Sequence, residues 1–108
     1  MITWKVFTKY RPGGNTFTFY IPSGFTPNGD GVNEYWEPKS NFLDSSDYHI
    51  DIFDKSGKIV FKSDIPKKFD GKGPNGNLLP VQSLGYYIEA ADKLGEQYTF
   101  EGQFVIVK

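Results

Sequence analysis

The chain has no cysteine and a single histidine among its 108 residues. The core must therefore hold without disulfides, and cysteine usage says nothing about redox compartment. With no cysteine and one histidine, zinc sites of the usual composition cannot be assembled. A dominant charge is missing too: 12 Lys and Arg stand against 13 Asp and Glu, a net charge of −1. No broad basic footprint for nucleic acid results. No apolar run approaches the length of a membrane helix. Met1 to Tyr10 alternates polar and apolar residues and carries two lysines, unlike the apolar block of an export signal.

Aromatic residues are abundant at 18%, as ten Phe, seven Tyr and two Trp. They suit a pleated, half-buried surface and favour strands. Twelve Gly and seven Pro supply turns and argue against long helices. At this length, residues 1–108 form one domain with a real core.

Ile2, Trp4 and Val6 alternate with Thr3, Lys5 and Phe7, a period of two that reads as a strand. The turn signal Arg11-Pro12-Gly13-Gly14-Asn15 leads to a second strand, Thr16 to Ile21. The two form a hairpin, or the first crosses to another sheet. Glu34 to Trp36 reads as a short strand and Asn41 to Ser46 as irregular. Tyr48 to Phe53 alternates strongly, turns at Asp54-Lys55-Ser56-Gly57 and returns through Ile59, Val60 and Phe61. Asp64 to Pro80 is rich in loops. Tyr86 to Ala91 is a strand, turning at Asp92-Lys93-Leu94-Gly95. The last strand, broken or bulged near Gly102, places Tyr98, Phe100, Phe104 and Ile106 on one face. These are about seven short strands at the spacing of an all-β, immunoglobulin-like antiparallel sandwich. The expected core is Trp4, Phe19, Ile50, Ile52, Phe61, Ile88, Phe100, Phe104 and Ile106.

Phe25 to Trp36 organises the rest. Pro27 fixes one backbone angle, while Asn28-Gly29 and Asp30-Gly31 tolerate positive φ, so the segment turns tightly more than once. Asn28, Asp30, Asn33 and Glu34 gather on chain that cannot extend. One reading is a calcium site, since Ca²⁺ takes several carboxylate, amide and backbone oxygens. Against it, no acidic residue stands at the twelfth position of an EF-hand loop and no flanking helices are evident. The other reading is successive Asx-turns with no ion, so that no cofactor is required.

Catalytic chemistry has few candidates. His49 alternates with Tyr48, Ile50 and Ile52 and reads as an outward strand residue, not a base. Asp51 and Asp54 read as solvent-facing or turn residues. No phosphate-cradling Gly-rich loop joins a strand to a helix. Lys67-Lys68-Phe69 is the nearest basic-aromatic patch for nucleic acid or carbohydrate, and it reads as a solvated loop edge. The expectation is no enzyme, no nucleic acid and no membrane insertion.

Ile21-Pro22-Ser23-Gly24-Phe25-Thr26-Pro27-Asn28-Gly29-Asp30-Gly31-Val32-Asn33-Glu34 resembles a block of the gliding motility-associated C-terminal domain family. That block reads Ile-Pro-Asn-Ala-Phe-Thr-Pro-Asn-Gly-Asp-Gly-x-Asn-Asp. These domains are the type B sorting domains of the type IX secretion system. Ile52-Phe53-Asp54-Lys55-Ser56-Gly57 with Val60-Phe61 resembles the family's hairpin, and Phe69-Asp70-Gly71, Asn75-Gly76 and Leu79-Pro80 its later markers. Gly102 to Lys108 is similar to its closing strand. Ser56 and Phe69 stand where the family has Trp, and the run from Leu79-Pro80 to Tyr86-Tyr87 is longer than the family's. The resemblance implies a sandwich that tags or presents cargo at the cell surface, without catalysis.

Two functions follow. The chain begins with Met1, shows no export signal, enters a strand almost at once and ends within one. That favours a free-standing immunoglobulin-like protein, a monomer in isolation, docking on a large assembly such as a phage capsid as a decoration protein on the virion. The alternative is a C-terminal sorting and anchoring domain at the cell surface, partnered by the secretion machinery. In either case the loops at Phe25 to Trp36 and Phe69 to Pro80 are the expected contact surfaces. Tyr35, Trp36 and Phe69 are the candidate anchors, unless those aromatics close the ends of the sandwich.

Overall fold

The computed structural model describes residues 3–10, 13 and 16–107. Of the expected first turn only Gly13 is among them; Ile2 and Lys108 also lie outside. The strands are β1 (Trp4–Lys9), β2 (Phe17–Pro22), β3 (Gly24–Phe25), β4 (Lys39–Ser40), β5 (Leu43–Phe53), β6 (Ile59–Ser63), β7 (Gln82–Asp92) and β8 (Gln97–Ile106). They form a three-stranded sheet, β1-β2-β4, and a five-stranded sheet, β3-β8-β7-β5-β6. The fold is an all-β, immunoglobulin-like sandwich. Its ladders are antiparallel except for the short β3–β8 pair, which is parallel.

Aromatic rings join the sheets. Phe17 and Phe19 of β2 stack on Tyr98 and Phe100 of β8, each pair with centroids 4.6 Å apart. Ile50 and Ile52 of β5, Leu84 and Ile88 of β7, and Phe104 and Ile106 of β8 complete the centre. Each inward position alternates with an outward one, as the two-residue period demands.

Trp4 departs from the expected core: it is 47% exposed. β1 carries apolar residues on both faces, so its own pattern does not set its parity. The β1–β2 register decides, pairing Phe7 with Phe19 and Val6 with Tyr20. Phe19 points inward, so Phe7 does too, meeting Tyr98 and Phe100 edge-on. Trp4 and Val6 share the outer face with Tyr20. Phe61 and Phe100 are half-buried at the margin of the core.

Three local expectations also change. Glu34 to Trp36 contributes an isolated bridge, Trp36 to Phe69, and no strand. Asn41 to Ser46 is partly regular, since β5 begins at Leu43, with a register shift before Tyr48. The last strand is unbroken at Gly102, which pairs with Tyr86 in a continuous ladder. A Cβ at Gly102 would stand 2.7 Å from the Tyr86 hydroxyl oxygen. Glycine there makes room for a ring, not for a bend.

Both long hairpins turn on the same device. Asp54 accepts from the amides of Ser56 and Lys58, and Asp92 from those of Leu94 and Glu96. Gly57 and Gly95 follow at positive φ. This is a type I turn closed by a left-handed residue, as in three-residue hairpin loops.

Candidate functional site

The segment from Phe25 to Trp36 is anchored at both ends. Phe25 and Trp36 are buried, and the Trp36 indole N–H donates to the Pro22 carbonyl at 2.8 Å. Between them the chain folds on itself. The Asn28 side-chain oxygen accepts from the Asp30 amide, and Asp30 accepts from the Val32 amide. These are two consecutive Asx-turns. Gly29 and Gly31 take positive φ, as does Asn33 at 52°.

Glu34 reaches back across the loop. Its carboxylate accepts from the amides of Asn28 and Gly29 at 2.9–3.1 Å. Successive amides pointing into one concavity form an anion cradle, and here the chain supplies the anion. Asn28, Asp30 and Glu34 are thus brought into one loop, but each directs a side-chain oxygen at a backbone N–H. Among the described residues, no group of three or more His, Asp and Glu is placed to hold a metal ion.

The second loop zone meets the first through paired backbone bonds between Trp36 and Phe69, both at 2.9 Å. Of the three candidate anchors, only Tyr35 keeps surface, at 50% exposure. Trp36 and Phe69 are corrected here: both are buried and offer a partner no area. Phe69 packs against Phe25 and Phe61, and so closes the sandwich. Lys68 projects outward, its ammonium 4.1 Å above the Tyr35 ring, within reach of a cation–π contact.

His49 lies on the outer face of β5, away from Ile50, as its alternation predicts. That carboxylates flank both ring nitrogens does not follow from the alternation. Nδ1 lies 2.6 Å from an Asp64 oxygen and Nε2 lies 3.0 Å from an Asp51 oxygen. The Asp64 hydrogen bond, helped by Asp51 and opposed by partial burial, raises the imidazole pKa above its ordinary value. Asp51 is two residues along the same strand, a spacing visible in the sequence. Asp64 arrives only because β6 pairs with β5. Both ring nitrogens are engaged by carboxylates, and the raised pKa favours the protonated imidazole.

The family model described as CHU_C Type IX secretion signal domain matches residues 19–106. No curated protein matches the chain. Among solved structures the chain is similar to the crystal structure of CopC from Methylosinus trichosporium OB3b, at 15% identity. That likeness covers 83% of this chain and 74% of the other, with a TM-score of 0.45, and carries no functional argument.

Proposed function

We propose a function from one established premise: the chain belongs to the CHU_C family of type IX secretion signal domains. Its role is to mark a polypeptide for the type IX secretion machinery and to deliver it to the cell surface or medium. The observation that carries this is the family match over residues 19–106, which spans the organising loop and both long hairpins. The capsid-decoration reading has no comparable support.

The sandwich acts in this role as a folded address. A rigid scaffold holds the two loop zones together through the Trp36–Phe69 bridge, and loops on such scaffolds commonly carry recognition. Turnover, a bound cofactor and nucleic acid have no part in this mechanism. The partner is a protein of the secretion machinery.

The test places the full chain at the C-terminus of a reporter bearing an inner-membrane export signal, in a bacterium with a type IX system. The reporter is expected at the surface or in the medium, and in the periplasm when the translocon is deleted. Periplasmic retention in both strains would overturn the proposal.

A further inference from the structure

The outer side of the three-stranded sheet carries aromatic surface that the core does not use. Trp4 and Tyr20 are 47% and 39% exposed, their rings edge to face at 6.4 Å. Beside them lies an open hollow of about 580 Å³, lined by Trp4, Tyr35, Glu34, Glu37, Lys39 and Lys68. Trp4 also borders a shallow apolar hollow with Val6 and Tyr20. The exposed Trp4 indole borders three hollows, and contiguous exposed aromatic surface of this kind marks an interaction site.

Two features specify an occupant. The charges balance, Glu34 and Glu37 against Lys39 and Lys68, so no net field selects an anion or a cation. The lining also offers hydrogen-bond donors and acceptors beside aromatic rings. A pyranose matches both features: its hydroxyls donate and accept, while its C–H face is apolar and flat enough to lie on a ring. We propose that this hollow binds a neutral oligosaccharide. Trp4 provides the stacking surface, and Tyr35, with the Lys68 ammonium over one face of its ring, lines the hollow beside it. Glu37 and Lys39, paired at 2.9 Å, form a combined acceptor and donor for neighbouring hydroxyls. Trp4 precedes the segment matched to the family, residues 19–106, whereas Glu34, Tyr35, Glu37, Lys39 and Lys68 lie within it; the binding is argued from the hollow alone and does not rest on the signal role.

The indole of Trp36 is buried and that of Trp4 is not, so acrylamide quenching of fluorescence reports chiefly on Trp4. The full chain is titrated with cellohexaose, laminarihexaose, mannohexaose and xylohexaose. At least one is expected to shield Trp4 from acrylamide and to bind with a dissociation constant below about 1 mM. By calorimetry, Trp4→Ala and Tyr35→Ala each weaken that binding about tenfold, whereas Trp4→Phe keeps most of it. Val6→Ala, outside the larger hollow, leaves it unchanged. Both Ala changes fall on exposed side chains, and unaltered melting confirms folding. Failure of all four sugars, or binding that survives Trp4→Ala, overturns the proposal. So does preference for a sulfated oligosaccharide or a proline-rich peptide at the same residues.

Discussion

Trp36 lies flat on Phe104, with ring centroids 4.0 Å apart and planes inclined by 12°. The contact joins the end of the organising loop to the C-terminal part of the last long strand. Both residues are almost fully buried, so it couples loop geometry to core packing. Trp36→Ala removes the stacking and also strands the Pro22 carbonyl, which accepts the indole N–H. A loss of about 3–5 kcal/mol in denaturant unfolding is expected. A chain of this size has roughly 5–15 kcal/mol in all, so the change approaches the limit of folding.

The two faces of the strands make a paired prediction. Ile52→Ala and Phe104→Ala each open a cavity in the core and should cost roughly 2–5 kcal/mol. Trp4→Ala, on the outer face, should stay within about 0.5 kcal/mol of wild type. A large loss at Trp4 with little at Ile52 would mean that β1 and β5 were turned over.

The organising loop predicts stability without an ion. Asp30→Ala removes the acceptor of the Val32 amide and should cost about 1 kcal/mol. The melting temperature of the native chain should be indifferent to millimolar Ca²⁺ and to EDTA. A rise that tracks Ca²⁺ concentration would instead show an ion bound to the folded state.

His49 sets a pH dependence with a definite sign. Its folded pKa is raised above the model-compound value of 6.5, chiefly by the Asp64 hydrogen bond. The protonated ring is therefore favoured in the folded chain. Its contribution is complete below the unfolded pKa and is lost as pH rises through the folded one. Glu89 on β7 stands opposite His49 and Lys62 on β6 opposite Asp51, the first favouring and the second opposing the imidazolium. An NMR titration of the imidazole should give a midpoint above 6.5. The stability gained on lowering pH from about 8 to about 6 should shrink in His49→Gln.

Gly71 tests the second loop zone. It takes φ of +86°, and a Cβ there would meet Ile106, Leu78 and Phe25 at 3.1–3.2 Å. Gly71→Ala combines backbone strain with crowding and should cost more than about 2 kcal/mol. Gly76 has a similar φ with open space around it, so Gly76→Ala should cost only the strain, about 1 kcal/mol. Equal melting temperatures for the two variants would place Gly71 away from the core.

The sequence by itself determined the class of fold, both Asp-Lys-x-Gly hairpins, the tight turning of the Phe25 to Trp36 loop and the family. All rest on interactions between residues near one another in the chain: alternation, side-chain-to-backbone bonds over two residues, and glycines where φ is positive. The tertiary structure decided which way β1 faces, because both of its faces are apolar and only pairing with β2 chooses between them. It also decided that Trp36 and Phe69 are core, since aromatic residues flanking a loop serve equally as anchors or as packing. The Asp64–His49 contact and the Tyr86 ring over Gly102 required long-range strand pairing, and no local pattern encodes which residues that pairing sets side by side.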